Sequence, residues 1–171
     1  NHERLVNMAD VKSLNNPLFL REEELRYSIE LLFFAYRDFT AEADAILAER
    51  DLGRAHHRVI YFVGRQPGIT ISELLEILNI TKQSLSRVLG RLVDDEFVRL
   101  EQGQDDKRQR LWSLTDKGHS LEQELTSVQK SRFSRAYKEA GFDSVDGFLT
   151  VMQNMLDDQT KTLLSPRPRK K

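Results

Sequence analysis

TISELLEILNITKQSLSRVLGRLVDDEFVRLEQGQDDKRQRLWSL, Thr70 to Leu114, is the stretch whose reading decides the fold. It opens on Thr70-Ile71-Ser72-Glu73, a capping box: the threonine oxygen accepts from the Glu73 amide and the Glu73 carboxylate reaches back. Leu74-Leu75-Glu76-Ile77-Leu78 continues this as a short amphipathic helix that stops at Asn79. Thr81 then caps a second helix, expected from Lys82 to about Glu96. Stepping about 100° per residue, Leu85, Val88, Leu89, Leu92 and Val93 share one face of it. Gln83, Ser84, Arg87, Gly90 and Arg91 share the other, with Lys82 and Ser86 on its flanks. From Thr81 to Arg91 the charged residues are all cations, and the acids Asp94, Asp95 and Glu96 follow as what reads as a solvated helix end. A solvent face usually mixes its charges. Amide, hydroxyl and guanidinium groups gathered at the N-terminal half are what a recognition helix presents to base edges. On charge pattern alone, an amphipathic surface helix explains the segment equally well.

The residues after it favour the first reading. Val98-Arg99-Leu100 and Arg110-Leu111-Trp112-Ser113-Leu114 alternate polar and apolar residues, as half-buried strands do. The loop between them, 101–109, is polar and contains Gly103, which predicts a hairpin wing. Its tip carries Asp105-Asp106-Lys107-Arg108. Asp106 is placed to brace the loop while Arg108 projects into a narrow minor groove, drawn by its negative potential, with Lys107 beside it. The plainer alternative is a solvated hairpin with a local ion pair worth at most about 1 kcal/mol.

These motifs resemble the MarR-type winged-helix transcription regulators of bacteria and archaea. The resemblance runs through Ile71-Ser72-Glu73-Leu74-Leu75, Ser84-Leu85-Ser86-Arg87-Val88-Leu89-Gly90-Arg91-Leu92 and Phe97-Val98-Arg99. It continues in the wing Asp105-Asp106-Lys107-Arg108-Gln109-Arg110 and closes with Leu114-Thr115-Asp116-Lys117-Gly118. The closing Leu-Thr-x-x-Gly after a D-x-R wing is the specific part; the helix-turn-helix pattern is shared by many regulators. Phe97 stands where the family usually has glycine. The resemblance implies that Lys82, Gln83, Ser84 and Ser86 face the major groove and that Arg87 and Arg91 contact phosphate or base edges. It implies that Arg108 is the minor-groove arginine of the wing and Asp106 the acid that orients it. It also implies a homodimer on a pseudo-palindromic double-stranded operator, repressing transcription until a small molecule or oxidant releases the DNA.

Composition sets the outer limits. The chain has 171 residues, 39% of them hydrophobic, with a net charge of −1. That size suits one domain or one subunit of a small dimer. Lacking an apolar run of transmembrane length, it is expected not to span a membrane. Asn1-His2-Glu3 shows neither a leader nor an initiator Met, as in a trimmed chain. The absence of cysteine suits a reducing cytoplasm and removes the thiol-oxidation switch used by one branch of the family. Charge is unevenly spread: residues 1–53 hold 6 basic and 11 acidic side chains, residues 54–113 hold 10 and 8, and residues 114–171 also 10 and 8. Affinity for DNA would then rest on the local placement of arginines rather than on a broad basic field. The tail 165–171, with Arg167, Arg169, Lys170 and Lys171, reads as a disordered basic end.

The flanks predict how subunits pair. Leu25, Ile29, Leu32, Tyr36, Phe39, Ala43 and Ile46 follow a 4-3-4-3-4-3 spacing along one long helix, and Leu31, Phe34 and Ala45 form a second apolar row. Thr115 caps another long helix carrying Leu121, Leu125 and Val128. After a break at Gly141-Phe142-Asp143, Phe148, Val151, Met152, Met155, Leu156 and Leu163 line a final helix. Such stripes suit dimerisation helices around a central winged domain, and a monomeric bundle explains them too. A helix opens at Arg54-Ala55-His56-His57-Arg58 and continues Val59-Ile60-Tyr61-Phe62-Val63. Adjacent histidines on a helix point about 100° apart, so no metal site is expected. Tyr36, Phe39, His57 and Tyr61, with Phe33 and Phe62, are candidates to line a pocket for a small aromatic effector, or are simply core.

No Gly-rich phosphate loop, GxSxG elbow, zinc-hydrolase pair or cysteine nucleophile is present, and neither an enzyme nor a cofactor is expected. The Glu22-Glu23-Glu24 cluster is explained by the helix dipole. The expected fold is mainly α with a small β wing (α+β): a winged helix-turn-helix flanked by long N- and C-terminal dimerisation helices. Its segments are 1–53, 54–114, 115–164 and the tail 165–171. The expected function is a homodimeric regulator with recognition helix 82–96 in the major groove and wing 101–109 in the minor groove. The alternative is a dimeric adaptor whose winged helix binds protein instead of DNA; near-zero net charge and the 94–96 acids lean that way, and Arg87, Arg91 and Arg108 lean against it.

Overall fold

The computed structural model of the chain describes residues 17–103 and 108–165. The expectations for Asp105, Asp106 and Lys107 at the wing tip and for the basic residues of the tail therefore lie outside the described residues. A 3₁₀ turn, Leu18–Leu20, precedes α1 (Glu22–Ala48), α2 (Arg54–Arg65), α3 (Ile71–Leu78) and α4 (Lys82–Asp94). The hairpin β1 (Val98–Gln102) and β2 (Arg110–Leu114) follows, then α5 (Asp116–Ala140), α6 (Phe142–Asn154) and α7 (Asp158–Thr162). The architecture is mainly helical with one small antiparallel sheet, as the sequence predicts.

Two compact units divide the chain, the first ending at Ala41 and the second starting at Glu42. In the first, Glu22, Glu23 and Glu24 fill the first turn of α1, where negative charge complements the helix N-terminus. Leu25, Ile29, Leu31, Leu32, Phe34 and Tyr36, from both predicted apolar rows, are all exposed in the single chain.

The second unit holds the core. Ala43 and Leu47 from the end of α1, Val59, Ile60 and Val63 of α2, and Leu74 of α3 are buried there. Leu85, Leu89 and Leu92 of α4, Val98, Trp112 and Leu114 of the hairpin, and Leu121 and Leu125 of α5 join the same cluster. Burial of a leucine side chain contributes roughly 2 kcal/mol, so α4 is tied to the core through one face. Both caps predicted for the helix-turn-helix form. The Thr70 hydroxyl oxygen accepts from the Glu73 amide while Glu73 Oε2 accepts from Thr70 N and Oγ1, both at 2.8 Å. Thr81 Oγ1 accepts from Ser84 N at 3.2 Å. Asn79 ends α3 in the left-handed conformation (φ 48°), which asparagine tolerates.

Several expectations need correction. The helix α4 ends at Asp94, two residues earlier than the predicted 82–96. Glu96 adopts φ 61°, its amide bonds Val93 O and the Phe97 amide bonds Leu92 O, which closes the helix as a Schellman motif. The left-handed residue of this joint is Glu96, so Phe97 needs no glycine-like backbone and is buried as a core side chain. Val93, next to last in the helix, is 42% exposed rather than part of the buried face. Glu101 and Gln102 belong to β1, paired with Leu111 and Arg110, so the loop is shorter than 101–109. Burial does not alternate strictly either. Leu100 is 39% exposed while Ser113 is only 9% exposed, because the main chain of Trp112 exchanges hydrogen bonds with Gly68 and Ile69 and so covers this end of β2. Near the C-terminus the break is at Gly141 alone (φ 81°), Phe142 already starts α6, and the single predicted final helix is two, interrupted at Met155 and Leu156.

Candidate nucleic-acid interface

The buried face of α4 determines what its other face offers. With Leu85, Val88, Leu89 and Leu92 turned inward, Lys82, Gln83, Ser84, Ser86, Arg87 and Arg91 are all exposed. Ser84 sits within the cap, its hydroxyl oxygen accepting from Thr81 Oγ1 at 2.9 Å. Lys82 and Arg87 make no side-chain hydrogen bond or ion pair among the described residues, so nothing there competes with a phosphate for them. Arg91 differs: its Nε donates to Asp95 Oδ2, one turn on, and this carboxylate holds the guanidinium firmly cationic. Asp94 and Glu96 are exposed, as expected of a solvated helix end, but Asp95 is Arg91's partner, and the i,i+4 spacing was the available signal.

The hairpin stands beside this helix through Phe97 and Val98, both buried. Gly103 N donates to Gln109 O at 3.0 Å below the tip, and Arg108 and Arg110 are exposed on the returning side. Arg99 Nε donates to Glu101 Oε1 at 2.6 Å, which neutralises one cation on the outgoing strand.

The sequence predicts the Thr115 cap and marks the Leu-Thr-x-x-Gly motif, and the cap forms, but the contacts of this first turn of α5 with the end of α4 were missed. Thr115 caps that helix by accepting from Gly118 N at 3.0 Å, and its own hydroxyl donates to Glu96 O at 2.6 Å. Thr115 N donates to Phe97 O at 3.1 Å. A Cβ on Gly118 would lie 2.0 Å from that same carbonyl oxygen, so only glycine permits this approach. Lys117 Nζ donates to Asp95 O at 2.7 Å and lies 4.6 Å from the centre of the Phe97 ring. The Leu-Thr-x-x-Gly signature thus holds three successive carbonyls at the end of α4. A groove of about 400 Å³ adjoins this joint, lined by Arg50, Arg91, Asp95, Phe97, Lys117 and Glu124 among others.

The four candidate effector residues do not line that groove. Tyr36 and Phe39 belong to the first unit, His57 and Tyr61 to the second. His57 is half-buried, and desolvation, opposed by Asp44 and Glu122, lowers its pKa; Tyr61 packs edge-on against Phe62 at 5.2 Å. His56 Nδ1 accepts from Gly53 N at 3.1 Å, so this histidine closes the start of α2 rather than offering itself to a metal. No grouping of metal-ligating side chains and no helix long and apolar enough to cross a membrane occurs among the described residues.

Comparison with known proteins agrees with this geometry. The profile of the MarR family matches residues 50–109, which run from the end of α1 into the wing. The HTH-type transcriptional regulator PetP of Rhodobacter capsulatus is 51% identical over 140 residues, 82% of this chain and 84% of that protein. Among solved structures, Streptococcus pneumoniae FabT in complex with DNA superposes with a TM-score of 0.67 at 16% identity, over 77% of this chain and 93% of that one. A mutant MarR from E. coli complexed with operator DNA gives 0.61 at 22% identity, over 83% and 100%. A winged helix-turn-helix with these motifs, half-identical over most of its length to such a regulator, belongs to the MarR family of transcriptional regulators, which are not enzymes.

Proposed function

We propose that the chain is a sequence-specific DNA-binding repressor that acts as a homodimer in the cytoplasm. In this reading Lys82, Gln83, Ser84, Ser86, Arg87 and Arg91 of α4 enter the major groove, and the wing carries Arg108, with Asp106 and Lys107, to the minor groove. Residues 54–114 form the DNA-binding domain, and 1–53 and 115–164 supply the dimerisation helices. The observation that carries the reading is the exposed, acid-free face of α4 from Lys82 to Arg91 beside a wing that bears Arg108. The DNA complexes of FabT and MarR, which share the fold, support it. The exposed apolar rows of α1 and of α6, where Val151 also faces outward, are faces that a second copy would cover.

The test is selection from a random duplex pool at about 150 mM salt, where non-specific binding is weak. The expected result is enrichment of an inverted repeat whose half-site centres lie about 10 bp apart or a multiple of that. The ion pairs Arg91–Asp95 and Arg99–Glu101, which neutralise two cations near the interface, favour a second reading as a protein-binding adaptor. Arg108→Ala separates the two: a regulator loses operator affinity and part of its salt dependence, and an adaptor loses neither.

A further inference from the structure

Lys117 occupies the second position of α5, where a cation opposes the helix dipole and an acid is the usual occupant. Its surroundings explain why it is there. The ammonium reaches across 22 residues to the carbonyl of Asp95, at the C-terminal end of α4, where positive charge is favoured. The ammonium lies over the Phe97 ring, and Thr115 holds the next carbonyl, Glu96 O. Asp95 in turn grips Arg91 through its carboxylate. A chain of contacts therefore runs from the first turn of α5 through the Asp95 backbone and side chain to a guanidinium on the exposed face of α4.

We propose that Lys117 is a positioning residue for DNA reading: by fixing Asp95 it sets where the Arg91 guanidinium points and the angle at which the end of α4 is held. It touches no base itself. The inference rests on the proposal that α4 is the recognition helix and adds to it a residue outside both helix and wing. Because α5 is the long helix beyond the wing, the same contact makes α4 and the start of α5 move together.

Lys117→Met tests this, since methionine keeps an unbranched apolar side chain and removes the ammonium. Binding of the full chain to its selected duplex and to a scrambled duplex is measured across a salt series, with thermal unfolding alongside. The expected result is an affinity for the selected duplex about tenfold lower, with scrambled-duplex binding and the salt slope unchanged. Lys117→Arg, which also donates to a carbonyl, restores most of the loss. Hydrogen exchange of the 95–98 amides should quicken in Lys117→Met. Asp95→Asn, which keeps the carbonyl, should lower the ratio of specific to non-specific affinity by a similar factor, and the double variant by little more.

A lower melting temperature with unchanged affinity overturns the proposal, because Lys117 is then structural only. Parallel loss on both duplexes, with the salt slope smaller by about 0.9, also overturns it, since Lys117 is then a phosphate contact. If Lys117→Met does not fold, an unchanged affinity ratio in Asp95→Asn is the overturning result. Arg87→Ala serves as the control for the underlying reading. If it weakens binding and the Lys117 and Asp95 variants do not, recognition by α4 stands and this inference falls. If the wild type selects no duplex, both fall.

Discussion

At the scale of single residues, the joint between α4 and β1 concentrates the constraints. Gly118 is there because the Phe97 carbonyl occupies the space a side chain would need. Gly118→Ala should therefore destabilise the fold by about 3 kcal/mol, as overpacking against a rigid main chain does, and this is read as a lower urea midpoint. Glu96 presents the opposite case. It is an exposed, non-glycine residue held at φ 61°, a conformation that costs of order 1 kcal/mol. Glu96→Gly should raise stability by about that amount in thermal unfolding. A drop would mean that the Glu96 side chain makes a compensating contact in solution. Both positions act on α4 without belonging to its exposed face.

At the scale of elements, α2 illustrates how a helix start couples to pH. His56 accepts the Gly53 amide through Nδ1, which requires the neutral ring. Desolvation first, then the nearby Arg91 cation, lower its pKa from 6.5. Burial lowers that of His57 as well. A histidine whose folded pKa is depressed contributes stability above its unfolded value and loses it as pH falls through the folded one. The unfolding midpoint should thus hold at pH 7 and fall as the pH drops below about 6.5. The His56→Asn, His57→Asn double variant should flatten that dependence. A wild-type midpoint that stays level from pH 7 to pH 5 would contradict this account. For α3 and α4 the equivalent capping duty falls to threonines, which do not titrate in this range.

At the scale of the whole molecule, the unanswered side of α1 points to assembly. Ile29 is 69% exposed in the single chain, and its neighbours in the row, Leu25, Leu32 and Tyr36, are exposed with it. A monomer seldom keeps so many large apolar groups in water along one helix. Sedimentation of the wild type should give the mass of a dimer, and Ile29→Glu should give the mass of one chain with helicity retained. Equal masses for the two proteins would remove Ile29 from the dimer contact. In the homodimer reading the apparent operator affinity should also fall on dilution below the dimerisation range, since two recognition helices bind together.

The helices around the candidate site were readable from sequence because their signals are local. Thr70 with Glu73, Thr81 with Ser84 and the apolar spacing of Leu85, Leu89 and Leu92 lie within one or two turns, where backbone geometry alone brings partners together. The exposed set from Lys82 to Arg91 follows from that periodicity. What only the tertiary structure decided lies between segments far apart in the chain. Lys117 meets Asp95 and Thr115 meets Glu96 at separations of 22 and 19 residues, and no periodicity encodes such a meeting. The same holds for Ser113, buried because the 68–69 main chain pairs with its neighbour Trp112, and for Glu96, whose left-handed turn replaces the last turn of helix. Local hydrogen bonds and side-chain period determine the elements; packing between distant segments determines where each element stops and what holds it in place.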